Sequence, residues 1–505
     1  MLSYTWNQLL GYKKDFGGHG LDLMAGHEFY RYAYRYLVGE RTGFSFDDFD
    51  ELAMGSTLAD GNSVKDLYAI DSWLSRLNYD YADKYYFSAS ARRDASSRFQ
   101  KDHRWGLFWS LGASWRISQE PFLQDADWLD NLTLKASYGV QGNDNLGSYY
   151  AWQSLYYMGF PNAAYSGAVI SSLENRDVTW EKNANFNTGV EFRLLNRIWG
   201  TFEWYSRKTS DMLLDYPMAL SLGFDGYYAN VGSIRNSGLD LTLAADVVST
   251  KDLTWNVTAM ASTVHNKVLH LTGQGSDDII NGVYLIREGE ELNTFYMARS
   301  AGVDPATGDQ LYWAYEKDAS GVMVPGSEYV TAQTTAASAS KYKLGSRIPD
   351  VYGSLSTTLR WKRFDASALF TWSLGGKVFD SVYEGLMNPT FVGQAYHRNA
   401  LRAWTTPGEV TDVPRATTVT SDIITDRFLI DASYLAVKSL SVGYSLKETL
   451  ARKAGLSSAR VFLAADSPWI FTHLKGMNPQ ASFSGSTSYS YTPTRSLTLG
   501  FDLKF

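Results

Sequence analysis

No cysteine occurs among the 505 residues. That excludes a disulfide framework and thiolate-held metals, and leaves the compartment open. Long apolar runs are also missing. No stretch reaches the roughly 18 apolar residues of a spanning helix, which argues against a helical membrane protein. There is no basic excess: 46 Lys and Arg face 53 Asp and Glu, a formal charge of −7, which argues against nucleic acid as a partner. The first residues, Met1 and then Leu2-Ser3-Tyr4-Thr5-Trp6, lack the charged region and cleavage site of a secretory signal. The expectation is that the true start lies upstream.

Aromatic residues are plentiful at 15%, with 34 tyrosines. Tyrosine suits a surface with one apolar side and one wet end, such as the belts at a bilayer interface. The last ten residues show the governing pattern. Leu497, Leu499, Phe501, Leu503 and Phe505 are apolar, and the residues between them are small, polar or charged. Successive side chains of a strand point to opposite faces, so one face is greasy and the other hydrophilic. The same alternation recurs at Tyr85, Phe87, Ala89 and Ala91, at Phe186, Thr188, Val190 and Phe192, at Leu239, Leu241 and Leu243, and at Phe364, Ala366, Ala368 and Phe370. A greasy outside with a polar inside is what a membrane barrel needs; a soluble sandwich has the same alternation with the wet face reversed.

The connections carry the topology. Short ones fall near 13–18, 82–83, 195–198, 249–252 and 362–363, with longer members at 118–131 and 446–457. Long ones fall near 39–64, 94–105, 141–181, 210–233, 375–431 and 467–494. Short and long alternate, as periplasmic turns and extracellular loops do. The region 265–350 resists parsing and must hold zero or two crossings, which predicts roughly 15 or 17 strands. An odd count is the wrong parity for a complete bacterial barrel, so strands are expected to be missing on the N-terminal side.

Several motifs are more specific. Arg76-Leu77-Asn78-Tyr79-Asp80-Tyr81-Ala82-Asp83-Lys84-Tyr85 is followed by Arg92-Arg93-Asp94-Ala95-Ser96-Ser97-Arg98-Phe99 and by Trp115-Arg116-Ile117-Ser118-Gln119-Glu120. Thr179-Trp180-Glu181-Lys182, Asn230-Val231-Gly232, Arg235-Asn236-Ser237-Gly238, the stretch from Gly302 to Asp309, and Ala432-Ser433-Tyr434-Leu435 complete the set. In this order the motifs resemble the SusC/RagA class of TonB-dependent outer-membrane transporters. The chain departs from that class at Ala95, where Gly is usual, at Ala436, where Arg is common, and at Met477-Asn478-Pro479-Gln480, where a Tyr-Asp-Pro-Glu-like stretch is usual. The resemblance implies an all-β, antiparallel transmembrane barrel of 22 strands with a plug inside, capped by a SusD-like lipoprotein and driven by TonB. This chain would be the C-terminal portion of that barrel, 1–505, without the N-terminal strands, the plug or the TonB box. TonB would then be engaged through the missing N-terminal part, outer-membrane lipid would surround the strands, and the fragment alone would neither transport nor form a stable pore.

No catalytic constellation appears; the seven histidines are scattered. Gly375-Gly376-Lys377-Val378 fails as a phosphate loop, and Asp304 to Asp309 reads as consecutive turns in preference to a cation loop. No cofactor or metal is expected. The binding candidates are loop aromatics: Tyr149, Tyr150, Trp152, Tyr156 and Tyr157 in one loop, Tyr227 and Tyr228 in another, and Trp469 in a third. Flat rings with a polar tip suit sugar faces or peptide side chains. Glu191, Arg193, Glu203, Arg207 and Asp240 are expected to face the lumen. The reading is a transporter of oligosaccharide, in preference to peptide. An adhesin or passive channel, or a soluble glycan-binding module, is the alternative.

Overall fold

The computed structural model describes residues 1–505 except 47, 49–50, 159, 161, 163–164, 166, 219, 225, 272–277, 320, 389–392, 394, 417–422, 474–478, 482–484 and 490–493. The described chain forms two compact units. One comprises Met1–Ala126, Asn131–Val190 and Tyr205–Arg235; the other comprises Asp127–Asp130, Glu191–Trp204 and Asn236–Phe505.

In the first unit six strands form an antiparallel meander: β1 (Leu2–Phe16), β2 (His19–Thr42), β3 (Thr57–Tyr81), β4 (Tyr85–Ser96), β5 (Trp105–Arg116) and β6 (Leu129–Asn143). Strands β7 (Glu181–Leu194) and β8 (Ile198–Ser210) are divided between the units, as are the first two residues of β6 and the first three of the strand that follows β8. The second unit holds a meander of seven: β9 (Ser233–Ser249), β10 (Leu253–Thr263), β11 (Val351–Trp361), β12 (Phe364–Leu374), β13 (Tyr434–Ser445), β14 (Ser458–Thr472) and β15 (Ser496–Lys504). Among the described residues these make fifteen strands, the smaller of the two expected numbers. The unparsed region adds no crossing. Its start, His265–His270, pairs back onto β9, and the rest folds into a separate six-stranded sheet between residues 279 and 346, with the short helix Thr334–Ala339.

The turns explain the tightness of the meanders. A two-residue hairpin loop needs positive φ at both central positions to match strand twist. Gly17 and Gly18 supply it freely, whereas in the three-residue loops 82–84 and 195–197 Ala82, Asp83, Leu195 and Asn196 adopt it with side chains present, at φ of 53–56°.

Register shows that the alternation is a property of whole sheets. In the first unit one face carries Leu23, Leu77, Ala89, Leu111 and Tyr138 in one row across five strands. In the second unit Leu243, Ala259, Leu355 and Phe370 form such a row, and Val442, Leu463 and Leu499 another. Leu243, Leu355, Val442, Leu463 and Leu499 all stay exposed. The opposite faces are hydrogen-bonded. Arg460 binds Asp365 at 2.6 Å and Asp502 at 3.0 Å, and Ser262 donates to Asp240 at 2.6 Å.

Rings gather at the short-turn end. Phe16, His19, Tyr81, Tyr85 and Trp115 follow one another across the first meander at centroid spacings of 4.5–6.4 Å. Trp361, Phe364 and Tyr444 do the same in the second. The motif Trp115–Glu120 closes onto Lys84-Tyr85: Tyr85 Oη donates to Glu120 at 2.6 Å, Trp115 Nε1 at 3.1 Å, and Lys84 Nζ lies 3.4 Å away. These donors, the Tyr85 hydroxyl first, hold the Glu120 carboxyl below its ordinary range.

Three expectations shift. The connection 39–64 is paired strand up to Thr42 and from Thr57. Connection 210–233 contains the hairpin Leu213–Pro217 with Gly226–Asn230. Strand β14 continues past Ala465 to Thr472, because the register with β13 shifts between Val437 and Ser439 and Ser467 takes a φ of 48°. A bulge of this kind resets the alternation that a strand is recognised by. Of Met477–Gln480, Met477 and Asn478 lie outside the described residues; Gln480 accepts from Lys438 Nζ at 2.7 Å.

Two outcomes follow. If the apolar face meets lipid near midplane, Leu241→Arg costs about 2–4 kcal/mol in unfolding from vesicles; a change under about 0.5 kcal/mol contradicts lipid contact at that depth. Glu120→Gln lowers stability at pH 7. Because the native carboxyl is held low, its contribution is present above the unfolded value of about 4.3 and lost as pH falls through the native one. Urea unfolding of the two proteins should therefore converge in acid, and a gap independent of pH would contradict the assignment.

Candidate functional site

The polar face of the first unit is built around Arg92. Its Nη2 donates to Glu28 and to Ser72 Oγ, both at 2.9 Å, and its Nε donates to Asp94 at 2.7 Å. Register explains the meeting: Glu28 pairs with Ser72, and Ser72 with Asp94. Ser72 and Asp94 are buried. The guanidinium is thereby committed to the sheet, so this node is structural.

Toward the long connections, the same face carries a latch. Tyr68 Oη and Ser96 Oγ donate to Asp144 at 2.7 and 2.6 Å. Arg98 stacks over Tyr68 and Tyr149, 4.8 Å from each ring, and donates to Asn145 at 2.8 Å. Tyr149 also stacks with Tyr32 at 6.1 Å. The Tyr150 hydroxyl accepts from the Leu67 amide at 3.0 Å. Tyr149 and Tyr150 thus fasten the start of the 144–180 connection to the upper part of β2 and β3.

Trp152 and Tyr228 pack against a buried cluster of Phe99, Phe108, Leu146, Ala151, Val178 and Trp180. Phe108 fits there because Gly106 and Gly142 leave room: a Cβ on either would stand 2.1–2.3 Å from its ring. Trp180 Nε1 donates to the Arg104 carbonyl at 2.6 Å, which explains the Thr179–Lys182 motif as a loop anchor. Tyr227 sits on its hairpin, edge-on to Tyr216 at 6.1 Å.

Tyr156 and Tyr157 differ from these. They lie on a small hairpin formed by Leu155–Tyr157 and Val169–Ser172 and are 56% and 66% exposed. Trp469, 53% exposed, pairs with Val437, which pairs with Phe370; that places it on the apolar face. Glu191, Arg193 and Arg207 are exposed, and Glu203 and Asp240 half-buried. On β8, Glu203 and Arg207 point away from the face of Phe202 and Trp204, as alternation requires.

The second unit contains a cleft of about 490 Å³, to which the quoted motifs contribute only Gly308 and Asp309 at the rim. Gln310, Tyr312, Glu384, Arg427 and Phe428 line it. Burial raises the Glu384 carboxyl and lowers the Arg427 guanidinium from their ordinary values. Neither side chain has a hydrogen-bond partner among the described residues. Asp309, at the rim, is bound by Arg415 at 2.8 Å. Asp304 accepts from the Ala306 amide and the Thr307 hydroxyl, a local turn, so these two aspartates are spent. Among the described residues, no group of three His, Cys, Asp or Glu is placed to hold a metal. Arg98, Asp144, Glu384 and Arg427 were not anticipated as site residues; Arg98 lay inside a quoted motif, but the others stand in connections without local pattern.

A family model described as "TonB dependent receptor-like, beta-barrel" matches residues 2–466. The chain is 28% identical to TonB-dependent receptor P3 of Formosa agariphila, over 98% of this chain and 52% of the relative. It is also 28% identical to TonB-dependent receptor SusC of Bacteroides thetaiotaomicron, over 99% of this chain and 50% of the relative. The fold superposes on a solved structure of the RagAB peptide importer in its closed-closed state with a TM-score of 0.89 and 29% identity, covering 100% of this chain and 55% of that one. The chain spans about half the length of the curated relatives it matches. It belongs to the TonB-dependent receptor-like β-barrel family, in the SusC/RagA class.

Proposed function

We propose that this chain supplies barrel strands to an outer-membrane importer that takes up oligosaccharides, acting with a SusD-like surface lipoprotein and powered through TonB. The supporting observation is the two-faced register. An apolar exposed face suits lipid, and a hydrogen-bonded polar face suits a wet passage. The oligosaccharide assignment rests on Tyr156 and Tyr157, whose rings stay open while Tyr149, Tyr150, Trp152 and Tyr228 are engaged in packing. Glu191, Arg193, Glu203, Arg207 and Asp240 would border the passage.

Peptide import is the second reading, and one observation favours it. The cleft bearing Glu384 and Arg427 offers two desolvated charges of opposite sign, which suit an amine and a carboxylate better than a neutral sugar. Growth on, and binding of, neutral oligosaccharides against short peptides separates the two.

Replacing Tyr156 and Tyr157 together by Ala in the complete transporter should weaken substrate binding by about 1 kcal/mol per ring, as aromatic contacts do. Heat-modifiable migration should be unchanged. Trp152→Ala should instead impair assembly, because its ring packs on a buried cluster. Unaltered binding in the Tyr pair would remove these rings from the site.

A further inference from the structure

Toward the long connections, the polar face of the first unit continues along β2 as a line of tyrosines. Glu28, Tyr30, Tyr32, Tyr34 and Tyr36 occupy every second position and therefore share that face. Register carries the face onto β3 as Tyr68 beside Tyr32 and Asp66 beside Tyr34, and onto β1 as Thr5 beside Tyr30 and Ser3 beside Tyr32. From Tyr30 to Tyr36 the line extends over ~20 Å, at ~3.3 Å per residue.

The two ends of the line differ. Tyr30 lies edge-on to Tyr68 at 6.0 Å and Tyr32 is stacked with Tyr149 at 6.1 Å, so these rings are set by their neighbours. The side chains of Tyr34 and Tyr36 make no hydrogen bond or ring contact among the described residues, and Tyr36 is 45% exposed. Asp66, the direct cross-strand partner of Tyr34, has no hydrogen-bond or ion-pair partner among the described residues. The charges around it are engaged: Glu28 with Arg92, Arg98 over Tyr68 and Tyr149, and Asp144 with Tyr68 and Ser96. Arg31, Arg35 and Lys65 belong to the opposite face, and further out on the face of the tyrosines Glu40 stands opposite Asp60.

We propose that Tyr30, Tyr32, Tyr34 and Tyr36, with Asp66, form a binding track for a neutral, extended oligosaccharide along the wet face of β2. Phenol rings receive the apolar face of a sugar, and their hydroxyl tips exchange hydrogen bonds with its hydroxyls. A carboxylate accepts from sugar hydroxyls in charge-assisted bonds. The spacing of the rings repeats along one strand, as the units of a glycan repeat along its chain, whereas a peptide presents unlike side chains in turn. The acids on this face repel an acidic glycan. The inference deepens the oligosaccharide reading and rests on it.

The test titrates the complete transporter in detergent micelles with neutral gluco-, manno- and xylo-oligosaccharides, each as disaccharide and hexasaccharide, with a hexameric oligogalacturonate and with a mixture of lysine-containing hexapeptides. A neutral hexasaccharide should bind at least about tenfold more tightly than its disaccharide, because only the longer chain reaches several rings. Tyr34→Ala and Tyr36→Ala should each weaken the hexasaccharide about fivefold and shrink that length preference. Asp66→Asn should weaken it about tenfold, as loss of a charged hydrogen-bond partner does. Tyr34→Phe should keep most of the affinity, and Leu37→Ala, exposed on the opposite face, all of it. Heat-modifiable migration tracks assembly, and should Tyr34→Ala fail to assemble, Tyr36→Ala and Asp66→Asn carry the test. Hexasaccharide binding that survives Tyr34→Ala, Tyr36→Ala and Asp66→Asn overturns the track and leaves the oligosaccharide reading standing, as does binding of the acidic chain alone. Binding of the peptides alone overturns both. Binding of no neutral chain overturns the track.

Discussion

A backbone amide or carbonyl without a partner costs several kcal/mol in hydrocarbon, and everything else in this structure depends on that constraint. Strands meet it only by pairing with neighbours along their length. Both meanders do so in antiparallel register, broken only locally by bulges such as those at Glu40/Arg41 and Val437/Ser439. Once the backbone is spent on the ladder, side chains alone distinguish the two faces. Alternation then sends leucine, valine and aromatic residues one way and serine, aspartate and arginine the other.

The charged groups follow from this division. Arg92 and Arg460 each hold two carboxylates on the polar face, where neighbouring strands supply partners at adjacent ladder positions. At the short turns the boundary is built from stacked rings, with Glu120 gathering a tyrosine, an indole and a lysine. At the other end the connections are free of the alternation rule. There the chain uses ordinary folding instead: the buried cluster around Trp180, the Arg98–Tyr149 latch and a separate sheet between 279 and 346.

That contrast explains what could be read in advance. The strands within the band were legible because one face must be apolar at every second residue, as at Leu239, Leu241 and Leu243. The outer ends of β2 and β3, 39–42 and 57–64, were not, because Gly39, Glu40, Asp60, Gly61 and Asn62 show no apolar period. The end of β14 was hidden by the bulge at Ser467. The loop aromatics were found as residues, but their surroundings were not. Tyr149 is committed to Arg98 and Trp152 to a buried cluster, and nothing local separates them from the open Tyr156. The cleft draws Gln310, Glu384 and Arg427 from three distant segments, so no spacing could announce it.

The central claim is that residues of one parity meet lipid and those of the other meet water. The absence of cysteine makes it directly measurable, since single cysteines from Leu239 to Ala244 can each carry a nitroxide label in vesicles. Relaxation by oxygen, which partitions into lipid, and by a water-soluble nickel chelate should alternate with a period of two. Oxygen should dominate at 239, 241 and 243, and nickel at 240, 242 and 244. A flat profile, or one with the parities reversed, would contradict the account.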